Sequence, residues 1–212
     1  MTNFVNNELE VLRPFGPTIA KVKMPQDLID KLNEYTESVL SDQNKQDELN
    51  YGNKLAGNVK QEFIIEKDIV EKIGWGKFLA EGVREWVLKT NNRKITQFNL
   101  INSWIVRQFQ NEYNPSHWHG GHVSGVGYLK VPKALGEASQ NNKTMNHNGK
   151  LEMVHGSKAF LCKPTFRVTP RVGDFYFFPH YLMHAVYPFS QCDDERRSVS
   201  FNATVDQSLF NE

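Results

Sequence analysis

Three histidines have the spacing of a metal site. His117 and His119 are two positions apart, so in an extended strand their side chains point to the same face and can bind one ion together. His184 comes much later, after the aromatic stretch 174–178, and begins another strand-like segment. Imidazole nitrogens in a triad that leaves coordination positions open are typical of metal centres that activate oxygen. The spacing therefore predicts a metal centre formed by residues of two strands.

Arg196 and Ser198 have the side chains needed to clamp a carboxylate. Polar and apolar residues alternate along 196–204, so Arg196 and Ser198 share one face of the predicted strand, whereas Val199 and Phe201 share the other. A planar guanidinium binds a carboxylate through two parallel hydrogen bonds, and a serine hydroxyl can donate another. A strand with one face in solvent alternates in the same way, so the pattern alone leaves both interpretations open.

Two further histidines compete for places in the triad. His122 has the parity of the strand that follows it and is the alternative second ligand in place of His119. His180 lies in the same loop as His184, but His184 is preferred because it leads directly into a strand-like stretch. Asp174 is not expected to bind the metal, because it resembles a turn residue that opens a strand.

Composition indicates a soluble protein that binds neither nucleic acid nor membranes. The chain has 212 residues and a formal net charge of +1, from 25 Lys and Arg and 24 Asp and Glu. The N-terminus has no basic and apolar leader, and no stretch approaches the roughly 18 apolar residues of a membrane span. Cys162 and Cys192 are too few for a disulfide-rich secreted fold and are expected to be free thiols. We therefore expect a cytoplasmic location.

Helical spacing dominates the first part of the chain, up to about residue 94. Pro25 is expected to open one helix, because apolar residues at helical spacing follow it, and 74–90 is expected to form a second amphipathic helix. Residues 8–24 are predicted to form two short strands around a Gly-Pro turn. Residues 41–57 are polar and aperiodic, which predicts a loop.

Alternation with a period of two begins near residue 95 and continues to about 206. The predicted strands are 98–110, 123–131, 151–154, 165–168, 174–178, 185–187 and 196–205. Many short strands separated by Gly, Pro and Asn-rich turns indicate a sandwich or barrel. We expect one domain over 1–212, mainly β with α, in which N-terminal helices support a cupin-like jelly roll, the double-stranded β-helix.

Three segments resemble the 2-oxoglutarate and iron(II)-dependent oxygenase superfamily, most closely a prolyl-hydroxylase-like group of these oxygenases from bacteria and phages. The first is the HxH pair at 117–119 followed by SGVGYL at 124–129. The second is GDFYFFP at 173–179, which leads to the third histidine, and the last is ERRSVSFN at 195–202. The segments occur in the order typical of the family and lie between residues 102 and 204.

The resemblance implies a role for each matching residue. The implied iron ligands, which are the catalytic residues, are His117, His119 and His184. Arg196 and Ser198 would bind the distal carboxylate of the cosubstrate 2-oxoglutarate (2OG), and Tyr128 would donate its phenol to the same group. The implied activity is that of a dioxygenase that uses O2, converts 2OG to succinate and CO2, and hydroxylates a substrate. The superfamily usually has Asp or Glu where His119 stands, so three neutral imidazoles would make this centre more positive.

Two other functions are compatible with the histidines alone. A cupin-type dioxygenase with three histidine ligands needs no 2OG, but a carboxylate clamp argues against it unless the substrate is itself acidic. A non-catalytic β-helix module that holds zinc, or no metal, is the other alternative, although closed zinc sites usually include cysteine. The sequence does not specify the substrate, which is a small molecule or a peptidyl residue, or the oligomeric state. The polar loop 137–148 is either a lid or a plain connection.

Overall fold

The computed structural model, which describes residues 16–138 and 144–209, has helices packed on one side of two facing antiparallel sheets. The helices are α1 (Gln26–Leu40), α2 (Gln43–Glu48), α3 (Lys67–Lys72) and α4 (Trp75–Asn91), with 3-10 turns at Gly52–Lys54 and Gln207–Leu209. In the described part of the chain, no helix has the length and apolar composition needed to cross a membrane.

Ten strands form the two sheets. In chain order they are β1 (Ala20–Lys23), β2 (Gln61–Ile64), β3 (Phe98–Gln108), β4 (Asn114–His117), β5 (Val123–Lys130), β6 (Leu151–Val154), β7 (Thr165–Val168), β8 (Asp174–Pro179), β9 (Met183–Val186) and β10 (Arg196–Val205). The larger sheet has the order β1-β8-β5-β10-β3-β2, and the smaller sheet has the order β4-β9-β6-β7. All pairs are antiparallel, which gives the predicted double-stranded β-helix.

The main hydrophobic core lies between the helices and the outer face of the larger sheet. Leu32 of α1 and Leu79 of α4 pack in one buried cluster with Phe177 of β8 and Phe201 of β10. Gly82 permits the close approach of α4, because a Cβ at this position would lie 2.3 Å from the ring of Phe177. The helices therefore hold the outer face rigidly and leave the inner face free to form a site.

The space between the two sheets contains a second, smaller core. Tyr128 and Phe178 from the larger sheet pack there with Leu151 and Met153 from the smaller one. This core fills one part of the space between the sheets. Polar side chains of β10 and the histidines of β4 and β9 occupy the rest, so the fold places the chemical residues inside the sandwich.

Most of the predicted elements are confirmed, and the errors fall in short elements. Both predicted helices and all seven predicted strands after residue 95 are present, with shifts of one or a few residues. The predicted loop 41–57 is wrong at α2, which forms because the Asp42 carboxylate accepts hydrogen bonds from the backbone N–H groups of Asn44 and Lys45 at its N-terminus. The short elements β2, α3 and β4 were not predicted.

The prediction for residues 8–24 is confirmed only in its second half. β1 is present, whereas residues 8–15 lie outside the described residues. The single domain over 1–212 and its division near residue 94 stay predictions. β1 and β2 come from the helical first part, yet they pair with β8 and β3 and so extend the larger sheet.

Candidate metal centre

The three predicted histidines come together between the sheets. His117 ends β4 and pairs in register with His184 of β9, while His119 follows β4 directly. One nitrogen from each ring lies within 4.8 Å of the other two, and this is the only such His, Cys, Asp and Glu cluster in 16–138 and 144–209. The antiparallel pairing of β4 with β9 thus brings residues that are far apart in sequence into a compact triad.

Backbone carbonyls orient two of the three rings. Nδ1 of His117 lies 2.7 Å from the carbonyl oxygen of Pro115, and Nδ1 of His184 lies 2.8 Å from that of Leu182. A carbonyl oxygen only accepts, so each Nδ1–H donates and each Nε2 keeps its lone pair. Metal-bound histidines are usually fixed by such a bond from the other ring nitrogen. Nε2 of His184 in turn lies 3.1 Å from Nε2 of His119.

The two competing histidines lie outside the triad and support its backbone. Nδ1 of His180 lies 2.9 Å from the carbonyl oxygen of His119, and the His119 N–H donates to the carbonyl of His180 at 3.0 Å. His122 accepts at Nδ1 a hydrogen bond of 3.1 Å from the N–H of Val205. The structure therefore groups His119, and not His122 or His180, with the other two histidines.

Burial keeps the triad in the neutral form that binds metals. Desolvation, followed by repulsion from the neighbouring rings, lowers the pKa of His119 to about 3. Desolvation also lowers the pKa of His184 to about 4 and lowers the pKa of His117. All three imidazoles are therefore uncharged near neutral pH, with lone pairs available to an ion.

Arg196 is a buried cation without a carboxylate partner among the described residues. Its side chain is 2 % exposed, Nη1 donates to the carbonyl of Gly149 at 2.9 Å, and Nε has no partner. Its guanidinium lies 5.7 Å from the centre of the Tyr128 ring. Burial lowers the pKa of Arg196, because a charged group is costly to bury unpaired. An acidic ligand is therefore the group that this side chain needs.

Tyr128 and Ser198, the two residues expected to assist Arg196, lie on β5 and on β10 itself. The two residues are register partners on β5 and β10, so both side chains project from the same face of the sheet. The hydroxyl of Tyr128 is buried and has no hydrogen-bond partner. Desolvation raises the pKa of Tyr128 to about 12, which keeps the phenol protonated and able to donate. Both faces of β10 are buried, which excludes the solvent-facing interpretation of its alternation.

The triad and the clamp face one cavity. Its lining includes the three histidines, Arg196 and Ser198, together with apolar side chains such as Val126 and Leu151. A metal on the imidazoles and a guanidinium in the same cavity suit a dicarboxylate that chelates the metal through one end. The residues present thus fit both Fe(II) and 2OG.

Several cavity residues were missed by sequence reasoning. Trp104 lines the cavity, and its ring centre lies 5.6 Å from that of His119. Asn114 and Ser200 line it too. Trp104 and Ser200 have the parity of the inner face, so alternation would have found them, whereas Asn114 belongs to a strand with no clear pattern. Asp174 is bound by Lys21 and Lys23 and takes no part in the cluster, as expected.

Comparison with known proteins identifies the central part of the chain. Residues 102–202 match the family described as "Putative 2OG-Fe(II) oxygenase". No curated protein sequence matches the chain. The matched segment contains all three histidines, Tyr128, Arg196 and Ser198.

Solved structures share the fold at low identity. A prolyl-4-hydroxylase from Pseudomonas putida is 16% identical, with a TM-score of 0.56 over 87% of this chain and 91% of that chain. The 2OG complex of a viral collagen prolyl hydroxylase from Paramecium Bursaria Chlorella virus-1 is 14% identical, with a TM-score of 0.53 over 87% and 94%. HygX from Streptomyces hygroscopicus, with nickel and 2OG bound, is 12% identical, with a TM-score of 0.55 over 86% and 80%. These likenesses support the fold.

Proposed function

We propose that the histidine triad and the Arg196 clamp are the catalytic site of this chain, whose residues 102–202 match the 2OG-Fe(II) oxygenase family. The protein is a 2OG-dependent dioxygenase. The observation that carries the proposed site is the shared cavity, in which three neutral imidazoles face a buried, unpaired guanidinium. A non-catalytic module has no use for that guanidinium, and a three-histidine dioxygenase without 2OG would use it only for an acidic substrate.

Each residue group has a separate task in this proposal. His117, His119 and His184 would hold Fe(II) through ring nitrogens. Arg196 would bind the distal carboxylate of 2OG, with donors from Ser198 and Tyr128. When bound, Fe(II) and 2OG supply the oxidising chemistry, in which O2 is consumed and 2OG becomes succinate and CO2.

The protein itself contributes positioning and exclusion of water. The backbone carbonyls behind His117 and His184 fix the rings before a ligand arrives, so little reorganisation is needed on binding. Phe178, Val126 and Leu151 line the cavity with apolar surface, which strengthens the pairing of a carboxylate with the guanidinium.

We further propose hydroxylation of an unactivated C–H bond as the reaction type. Two of the structures with this fold are prolyl hydroxylases, which supports a hydroxylase without identifying its substrate. A cytoplasmic location is part of the same proposal, supported by the two free cysteines Cys162 and Cys192, which are common in reducing compartments.

Anaerobic titration of the metal-free protein with Fe(II) and then 2OG tests the site. We expect a metal-to-ligand charge-transfer band in the visible region only when both are present, because the oxoacid must chelate a protein-bound iron. Arg196→Lys should raise the 2OG concentration needed for the band about tenfold to hundredfold, because an ammonium cannot reproduce the bidentate bond. Arg171→Lys, at an exposed position, is the matched control.

Two results would contradict the proposed site. Iron binding without a band would show that 2OG does not chelate the iron of this centre and is not its cosubstrate. Unchanged 2OG affinity in Arg196→Lys would show that another group binds the distal carboxylate.

A further inference from the structure

Glu62 is a buried carboxylate next to the proposed catalytic cavity. It lies on β2 opposite Val106 of β3, so both side chains project from the inner face of the larger sheet. Val106 lines the cavity that contains the histidines. The Glu62 side chain is only 1 % exposed, and neither Oε1 nor Oε2 has a hydrogen-bond partner.

A second unpartnered acceptor lies beside this carboxylate. Oδ1 of Asn114 is buried without a partner, and Asn114 lines the same cavity as His117. Gly57 packs directly against both side chains, because a Cβ at this position would lie 2.2 Å from Asn114 Oδ1 and 3.3 Å from Glu62 Oε1, so the two acceptors lie close together. Three acceptor atoms without a donor thus converge at the edge of the metal cavity.

The surroundings of Glu62 supply no positive charge. In the described ranges no Lys, Arg or His forms an ion pair with it, and the nearest electrostatic influence is the carboxylate of Glu112. Burial, with a smaller contribution from Glu112, raises the pKa of Glu62 to about 7. Glu112 differs, because its own carboxylate accepts from the N–H groups of Phe109 and Lys60 at 2.9 and 3.4 Å.

This contrast points to an external partner for Glu62. The other buried acids of the described residues have donors within the protein, as Glu195 has Arg107 and Arg197. An unpaired buried carboxylate destabilises the folded state, and protonation supplies only one donor for three acceptors. A ligand with several N–H donors and a positive charge would satisfy all three acceptors.

We propose that Glu62 and Asn114 form the subsite that binds a cationic nitrogen group of the substrate, a guanidinium or an ammonium, beside the metal centre. The proposal rests on the function proposed above and adds the substrate class to it. Asn114 lines the same cavity as His117, so the subsite would hold the positive end of the substrate close to the metal centre. The Glu62 carboxylate is the charged group of the subsite, so the subsite selects a cationic donor and rejects a second carboxylate.

The segment 52–60 covers the subsite. Besides its covalent link to β2, this segment is held by the N–H of Asn58, which donates to the carbonyl of Tyr113 at 2.8 Å. Gly52 also lies above the carboxylate, since its built Cβ would be 3.5 Å from Glu62 Oε2. A ligand enters when this short polar segment lifts, which requires few hydrogen bonds to break.

Calorimetric titration of the anaerobic Fe(II)–2OG protein with matched neutral and cationic probes tests the subsite. The guanidinium pair is N-acetyl-L-arginine methylamide against N-acetyl-L-citrulline methylamide, and the ammonium pair is the corresponding lysine and norleucine compounds. We expect the cationic member of at least one pair to bind about tenfold to hundredfold more tightly, because a charge-assisted contact replaces a neutral one. Which pair shows the preference distinguishes guanidinium from ammonium.

Three variants connect that preference to the subsite. Glu62→Gln keeps the shape but removes the charge and should erase the preference for the cation, whereas Glu71→Gln, at an exposed position, should retain it. Gly57→Ala keeps the carboxylate but displaces the Asn114 amide, which its added methyl would contact at 2.2 Å, and should weaken binding of the cationic probe. Thermal unfolding should show Glu62→Gln at least as stable as the wild type, because a neutral amide is less costly to bury.

The outcomes separate this proposal from the proposed function. Equal affinity for both members of each pair, with the charge-transfer band present, overturns the subsite and leaves the oxygenase site intact. A preference that survives in Glu62→Gln overturns the role of Glu62, and unchanged binding of the cationic probe in folded Gly57→Ala overturns the role of Asn114. Absence of the band in the wild type overturns the proposed function itself.

Discussion

Both faces of β10 are largely buried, yet they differ in what their side chains contact. On the outer face Val199, Phe201 and Ala203 pack entirely against protein atoms. On the inner face Arg196 faces a cavity, and its Nε has no partner. One strand thus shows that burial alone does not distinguish a core from a site. The useful distinction is whether the buried groups are satisfied within the protein.

The outer face therefore determines stability, whereas the inner face is adapted to ligands. The apolar side chains of the outer face have no polar atom to satisfy, and the buried Arg197 on that face is paired with Glu37 and Glu195. The inner face keeps polar groups that raise the free energy of the ligand-free state, among them the guanidinium of Arg196 and the phenol of Tyr128. Variants on the two faces should consequently fail in different assays.

The largest expected effect is the loss of metal binding in His184→Ala. This change removes one of the three ligands, and the remaining two rings bind an ion much more weakly. The fold should persist, because the deletion also removes a buried polar ring. Fe(II) content after anaerobic dialysis, with circular dichroism as the folding control, measures both. Wild-type iron content in this variant would contradict the triad, and His155→Ala, at an exposed position, is the control.

The second effect is the reverse case, a loss of stability with the site retained. Phe201→Ala should lower the free energy of unfolding by about 3–5 kcal/mol, because it leaves a cavity beneath the helices. Phe201 is fully buried and its ring lies 5.9 Å from that of Phe177. Urea unfolding measures the change, and Fe(II) and 2OG should still bind where the variant is folded. A loss of binding as large as that in His184→Ala would show that the two faces are not separable.

Alternation allowed the residues that share each face of β10 to be predicted, because it is a local property of the chain. The same holds for His117 and His119, whose spacing needs only an extended backbone. Alternation alone leaves open whether the polar face of β10 is buried. The closure of the triad by His184 required the pairing of β4 with β9, and β4 has four residues, includes Pro115, and shows no alternation. The triad was therefore inferred from resemblance and spacing, and the pairing could not be derived.

Glu62 was invisible to sequence reasoning for a physical reason. β2 is four residues long, and a single glutamate in a short segment resembles a solvated surface residue. Its burial comes from long-range pairing with β3 and from the covering segment 52–60. Asn114 is similar, because its unpartnered oxygen becomes buried only when Gly57, which is distant in sequence, packs against it. Unsatisfied groups are properties of the assembled fold, which a linear pattern does not contain.

The smallest expected effect is a pH dependence of stability that arises on the inner face. In the metal-free protein the pKa of His119 is about 3 and that of His184 about 4, below the ordinary value of 6.5. Between pH 6.5 and 4 the unfolded chain binds protons that the folded chain does not. The free energy of unfolding should therefore decrease as the pH falls through this window. Glu62, whose pKa is raised from 4.5 to about 7, acts in the opposite direction over an overlapping range.

Comparison of variants separates these opposing contributions. His119→Gln should flatten the acid side of the stability curve, because the substituted side chain does not titrate, whereas the Glu62 contribution is common to both proteins and cancels in the difference. Phe201→Leu on the outer face should shift the curve without changing its shape, since no titrating group is altered. Urea unfolding of the metal-free proteins at several pH values measures the curves. Parallel curves for wild type and His119→Gln would mean that His119 is not held neutral by burial, which would remove the electrostatic contrast between the two faces.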